Sequence, residues 1–235
     1  MKIVARLKKH SFFVLVFTIV KATVYFVPLL LADVLSRTDF GILEYALAGL
    51  GMVVNTVINL GVPGAYPYFI LKEKRLDLQS SFKLHSIVLL IPFAVNQVLF
   101  FFFQLEINFY LAFNVSYIIA NQIFYSTQFK SHQKSTFAVV LDSGVYIVLL
   151  GFYIFYILGI IELSIKEINK VVLYYCFAYI FVAFKNFINH KKTISLTKYK
   201  KILKFSIHLL VSTLLIFLIT SSGRILAELF FDFET

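Results

Sequence analysis

Ser11–Leu71 reads SFFVLVFTIVKATVYFVPLLLADVLSRTDFGILEYALAGLGMVVNTVINLGVPGAYPYFIL, two very long apolar segments joined by the polar turn Ser36-Arg37-Thr38-Asp39. Each segment exceeds the about 20 apolar residues with which a helix crosses a bilayer. The first segment holds a lysine, Lys21, near its middle. The second is interrupted near its end by Gly61-Val62-Pro63-Gly64 and again by Pro67. The stretch therefore predicts two membrane-spanning helices, the second of them broken.

The composition of the whole chain extends this pattern. Hydrophobic residues make up 60% of the 235 residues, and the mean hydropathy is +0.87. Backbone groups in lipid must be satisfied within the segment, and the apolar runs are too long and continuous for barrel strands. The single cysteine, Cys176, excludes an intramolecular disulfide and a cysteine-based metal cluster. We therefore expect an all-α, polytopic membrane helix bundle.

About seven transmembrane helices are predicted, with short connections that make sequence neighbours antiparallel. The predicted spans are Ser11–Leu35, Gly41–Leu71, His85–Phe103, Ile107–Tyr125, Phe137–Ile161, Ile168–Phe187 and a seventh from about Phe205 to Phe231.

The basic residues assign an orientation. The net charge is +10, and lysines that flank spans explain it without a nucleic-acid partner. With the N-terminus in the cytoplasm, nearly all lysines and arginines outside the spans fall on the cytoplasmic side. The exceptions are Arg37, Lys166 and Lys170. We therefore expect a multi-pass membrane protein with a cytoplasmic N-terminus.

The last cytoplasmic stretch, Asn189–Lys204, is the most basic loop and separates six spans from a seventh. A shift of 195 residues places Leu30–Phe40 over Ile225–Thr235, which matches the seventh span to the first. Duplicated bundles of this kind are common in transporters. We therefore expect residues 1–188 to form a six-helix lobe, 189–204 a basic cytoplasmic linker, and 205–235 the first helix of a second lobe that is truncated.

Candidate site residues are polar groups placed in apolar spans. Lys21 lies near the predicted bilayer midplane, where lysine costs about 2.5–3.5 kcal/mol and usually faces a bundle interior or a wet cavity. A snorkelling lysine without a transport role is the structural alternative. The other candidates for substrate binding are Tyr25, Asn55, Asn59, Asp142 and Arg224. Amides in membranes form hydrogen bonds between helices about as often as they bind ligands. Arg224 can also extend its side chain to the membrane interface.

Three segments carry a family resemblance: LLLADVLSRTDFGILEYALAGLG (Leu29–Gly51), INLGVPGAYPYFI (Ile58–Ile70) and SSGRILAELFF (Ser221–Phe231). They resemble the multidrug/oligosaccharidyl-lipid/polysaccharide flippase superfamily, and most closely its polysaccharide-biosynthesis branch, the O-antigen flippases called Wzx. The resemblance implies a carrier that moves an undecaprenyl-pyrophosphate-linked oligosaccharide from the inner to the outer leaflet. It also implies a polar, often cationic cavity between two lobes, no required cofactor, and contact with membrane lipids and other polysaccharide-assembly proteins.

Other readings stay open at this point. The chain contains no His-Glu-x-x-His, Gly-x-Ser-x-Gly or phosphate-binding loop, so no catalytic or metal-ligating residue is predicted. A drug or ion antiporter of the same superfamily is one alternative, although Lys21 argues against it. A polysaccharide-assembly membrane enzyme and a truncated, non-transporting fragment are two more.

Overall fold

The computed structural model describes residues 2–230, with side chains for residues 11–216 and for Ile219. This part of the chain is helical, and no strand occurs in it. The long helices are α1 (Lys2–Val34), α2 (Arg37–Leu47), α3 (Leu50–Ile58), α7 (Leu90–Phe103), α8 (Ile107–Ser131), α9 (Ser135–Asp142), α10 (Gly144–Ile157), α11 (Ile165–His190) and α12 (Leu196–Phe230). Shorter pieces between α3 and α7 are α4 (Val62–Pro67), a π-helix (Tyr68–Lys72), a 3₁₀-helix (Leu76–Leu78), α5 (Gln79–Phe82) and α6 (Leu84–Val88).

Four described stretches are long and apolar enough to cross a membrane: Ser11–Val34, Arg37–Ile58, Leu76–Phe103 and Ile165–His190. The pair α9 and α10 makes a fifth if it counts as one span, because the two helices are bent by 60° at Ser143. The prediction of an all-α membrane helix bundle is thereby confirmed. The count of seven spans stays a prediction.

The central element is α8, which coincides with the predicted fourth span. It packs against α2, α3, α4, α7, α9, α10 and α11. Thirteen of its 25 residues are buried, among them Asn114, Asn121 and Gln122. Helices α7 and α11 supply hydrogen-bond partners for Asn114 and Gln122, whereas Asn121 donates to the Tyr117 carbonyl within α8. This explains why α8, although long enough, is not among the apolar stretches.

The predicted second span is divided in three. Gly49 separates α2 from α3, and Leu60 and Gly61 take left-handed φ values of 52° and 70° between α3 and α4. Pro63, the second residue of α4, causes no loss of a helical hydrogen bond, since its missing N–H lies in the first turn. The break that the glycines and prolines predict near Gly61 is therefore present.

The loops after the second, fourth and sixth predicted spans meet at one end of the bundle, which we call the basic pole (residues 72–83, 130–134 and 185–204). Ser80 Oγ donates to the carbonyl of Thr193 at 2.9 Å, and Tyr66 Oη lies 3.0 Å from His132 Nε2. The positions of these loops at one end of the bundle agree with their predicted location on the same side of a membrane. Which side the basic pole faces stays a prediction.

Much of the predicted linker is ordered helix. The first turns of α12 occupy residues 196–204. Tyr199 and Ile202 anchor them, since both are buried in a core with Val62, Phe69 and Phe82. Ser195 precedes α12, and its Oγ accepts from the Lys198 N–H at 3.4 Å. The structure therefore holds the start of α12 against the first bundle, and the division into two lobes stays a prediction.

Candidate functional site

A cleft of about 180 Å³ lies between the broken second span and α12, and we call it the amide cleft. Its walls come from four elements: the end of α3, the Gly61 break with α4, one position of α8, and the middle of α12. The lining residues are Asn55, Thr56, Asn59, Gly61, Pro63, Gly64, Ile123, Leu209, Leu210 and Thr213.

Two of the predicted substrate-binding residues, Asn55 and Asn59, lie in this cleft. They are one helical turn apart, so their side chains share a face. Asn55 Nδ2 donates to the carbonyl of Gly51 at 3.2 Å. Asn59 is buried, and its Oδ1 has no hydrogen-bond partner in the described part of the chain. An unpaired buried acceptor costs about 1–3 kcal/mol, which a hydroxyl or N–H donor that reached Asn59 Oδ1 would relieve.

Gly61 sets how closely α12 approaches this break. A Cβ atom at Gly61 would overlap the carbonyl oxygen of Ser206 and lie 2.8 Å from the Leu210 nitrogen. The φ of 70° is also one that residues with a Cβ rarely adopt. Glycine therefore lets the backbone of α12 lie directly on the broken segment. The opposite wall then places Thr213 across from the two asparagines.

Lys21 and Tyr25 lie elsewhere. The buried face of α1 is formed by Val20, Val27 and Leu31, and α1 packs mainly on α9 and α10. Lys21 is half-buried at the edge of that face, whereas Tyr25 is 73% exposed. No residue of the side-chain range 11–216 forms a hydrogen bond or ion pair with Lys21. The structure does not bring these two residues into the amide cleft.

Asp142 is also separate from the cleft. Asp142 ends α9 at the bend, where its carboxylate accepts from Ser126 Oγ at 3.0 Å and pairs with Lys130 Nζ at 3.1 Å. A local ion pair of this kind accounts for the carboxylate. Arg224 is predicted to bind substrate, and its side chain lies outside the described residues.

Several of the remaining buried amides link α7 to α8. Asn114 Oδ1 of α8 accepts hydrogen bonds from Asn96 Nδ2 and Gln97 Nε2 of α7, both at 2.9 Å. Tyr110 Oη donates to Gln97 Oε1 at 2.6 Å. This network belongs to the interface of α7 and α8.

Three of the five histidines gather at or next to the basic pole, a grouping that no spacing in the sequence indicates. His132 contacts Tyr66, and Lys83 Nζ lies 2.7 Å from His190 Nε2. The buried His85 lies 3.0 Å from Tyr199. Each histidine has a tyrosine or lysine partner. In the described residues, no group of three or more histidine, cysteine, aspartate or glutamate side chains is arranged to hold a metal.

The fold and the cleft define a helical protein that has apolar stretches long enough to cross a membrane and a small, mostly apolar cleft that two asparagines line at a broken helix. No family model matches the sequence, and no curated protein and no solved structure matches it either.

Proposed function

We propose that this protein is a flippase that carries an undecaprenyl-pyrophosphate-linked oligosaccharide across the bacterial inner membrane. The observation that carries the proposal is the amide cleft, in which Asn55 and Asn59 lie at a broken helix inside a membrane bundle. Broken helices in transporters often mark the place where a substrate is bound. The three segments that resemble polysaccharide flippases supply the substrate class.

The chemistry of the cleft suits a sugar. Each asparagine side chain offers one acceptor oxygen and two donor hydrogens, the complement of a hydroxyl-rich surface. Asn59 Oδ1 is buried and unpaired, so a sugar hydroxyl that donates to it gains the hydrogen bond without displacing another protein group. Thr56 and Thr213 add hydroxyl groups at the rim.

Lys21 supports an anionic substrate. Its ammonium lies in the middle of an apolar helix, half-buried and without a protein partner in the side-chain range 11–216. A charged group in this position is stabilised by water or by an anion. We propose that the pyrophosphate passes beside Lys21 and Tyr25 on α1 at a separate step from the binding of the sugar in the amide cleft.

Reconstitution of the protein purified from its native membrane tests the proposal. The probe is a polyprenyl-pyrophosphoryl sugar with a nitrobenzoxadiazole label, and dithionite reports the fraction in the outer leaflet of the vesicles. We expect faster loss of signal than in protein-free vesicles. We also expect the rate to fall about threefold to tenfold for each amide removed by Asn55→Ala or Asn59→Ala. Asn189→Ala is the matched control because Asn189 is exposed at the end of α11.

Two results would overturn the proposal. The first is translocation of the probe no faster than in protein-free vesicles. The second is equal translocation of labelled phosphatidylcholine, which carries no sugar. A normal rate in Lys21→Met would remove the pyrophosphate contact while leaving the role of the amide cleft in place.

A further inference from the structure

A second depression, the bend groove, lies on the other side of α8, with a volume of about 280 Å³. Its walls are apolar side chains of α8, α9 and α10: Phe129, Phe137, Val140, Ile147 and Val148. Phe137 is 68% exposed and Val140 is 40% exposed, so the groove opens on the apolar outer surface of the bundle. The volume is close to the lower end of the about 300–1,000 Å³ that is typical of pockets for drug-sized molecules.

The 60° bend between α9 and α10 creates the groove. Below the bend, Gly144 lies so close to α8 and α11 that a Cβ there would overlap Tyr175 Oη and lie 2.7 Å from Gln122 Nε2. Tyr175 Oη lies 3.2 Å from both Gln122 Nε2 and Tyr179 Oη. The Tyr175 hydroxyl, the polar group that lines the groove, is therefore already paired.

Two lysines lie beside this apolar groove. Lys130 follows Phe129 at the end of α8, and Lys134 precedes α9. Both are exposed. Asp142 neutralises part of this charge through its ion pair with Lys130, whereas Lys134 has no acidic partner among the described side chains. His132, between the two lysines in sequence, is engaged with Tyr66.

We propose that the bend groove is a binding site for one anionic phospholipid. The acyl chain lies against Phe137, Val140 and Val148, and the phosphodiester meets the ammonium groups of Lys130 and Lys134. The apolar walls, exposed on the outer surface of a membrane-embedded bundle, select a lipid tail. The net positive rim selects an anionic headgroup, since a basic residue near such a headgroup strengthens binding about fivefold. This site is independent of the flippase proposal.

The chain contains no tryptophan, so one introduced tryptophan can report on the groove without background. The probe protein is the full chain with Phe137→Trp, reconstituted with phosphatidylglycerol or phosphatidylcholine brominated on the acyl chains. Phe184→Trp is the matched control. Phe184 is 51% exposed, lies next to Lys185, and is on the face of α11 opposite Tyr175. It therefore senses diffuse attraction of anionic lipid to the basic pole.

We expect brominated phosphatidylglycerol to quench Phe137→Trp at a mole fraction about fivefold lower than brominated phosphatidylcholine does. For Phe184→Trp we expect a clearly smaller preference for phosphatidylglycerol, which measures the diffuse attraction alone. Lys130→Gln with Lys134→Gln should abolish the preference for phosphatidylglycerol. Asp142→Asn breaks the same ion pair as Lys130→Gln but leaves the rim more positive, so it should keep or increase the preference.

Several outcomes would overturn the proposal. Equal quenching of Phe137→Trp by the two lipids removes the headgroup selection. An equal preference at Phe184→Trp shows diffuse attraction only. A preference that survives loss of both lysines assigns the selection to other groups. Relief of the quenching by equimolar polyprenyl phosphate assigns the groove to that lipid instead of phospholipid.

Discussion

His85 and Tyr199 form the longest-range buried hydrogen bond at the start of α12: the Nδ1 atom of His85 lies 3.0 Å from the hydroxyl oxygen of Tyr199. The two residues are 114 positions apart, and both are buried. The bond links α6 to α12 across the face that the sequence predicts to separate two lobes. His85 Nε2 has no partner in the described residues, so Tyr199 is the one group that satisfies this ring.

Removal of the Tyr199 hydroxyl by Tyr199→Phe should therefore destabilise the protein. It leaves a buried imidazole with neither nitrogen paired, which costs about 1–3 kcal/mol. We expect a lower melting temperature in detergent. Tyr174→Phe is the matched control, since Tyr174 is 70% exposed on α11. The double variant His85→Leu, Tyr199→Phe should recover part of the loss, and an equal effect of the two tyrosine substitutions would contradict the role of the bond.

Gly61→Ala should separate α12 from the broken span. The left-handed backbone alone costs a residue with a Cβ about 1–2 kcal/mol, and the overlap with Ser206 adds to it. Gly151→Ala is the control, because a Cβ at Gly151 meets nothing within 4 Å and alanine is favoured there by about 1 kcal/mol as a better helix former. The two substitutions should shift the melting temperature in opposite directions. A shift of the same sign would show that Gly61 does not set the approach of α12.

Asn114→Ala should weaken the interface of α7 and α8. The substitution removes the acceptor of two hydrogen bonds, each worth about 0.6 kcal/mol on average and up to about 1.7 kcal/mol within a membrane protein. We expect a loss of about 1–3 kcal/mol in unfolding by a mixed-micelle titration. Asn189→Ala, at an exposed position, should change the free energy of unfolding by much less. Comparable losses would mean that the network contributes nothing specific.

The orientation can be tested by cysteine labelling. Cys176 is buried and can be replaced by alanine, which leaves one introduced thiol as the target. We expect Lys166→Cys to react with an impermeant maleimide on intact cells. Lys191→Cys should react only in inside-out vesicles, because the basic pole is predicted to face the cytoplasm. The reverse pattern would invert the topology while keeping the fold.

The sequence predicts the fold well where one signal dominates. The length of the apolar run in α1 defines a span. The glycines and prolines near Gly61 predict the break, and the lysines predict which loops share an end of the bundle. Each of these features depends on residues close together in the chain. This is why they can be recognised without tertiary information.

The sequence predicts the candidate site only in part. Asn55 and Asn59 are recognisable as amides in an apolar helix, but their position opposite Thr213 depends on a contact between distant segments. The spacing of apolar residues in α1 does not reveal which face is buried, because apolar residues occur on all sides of the helix. Lys21 and Tyr25 were therefore expected to face a cavity, while the structure leaves them on the edge and the outside of the described bundle.

The position of α8 in the chain has a consequence for biosynthesis. The ribosome synthesises this central helix after α1–α7. Its buried amides make its insertion into lipid unfavourable when it is alone. Its insertion into the membrane becomes favourable when the helices made before it are already there to pack against it. The helices of the first half of the chain thus provide the surface on which α8 packs. The order of synthesis is therefore part of the folding pathway.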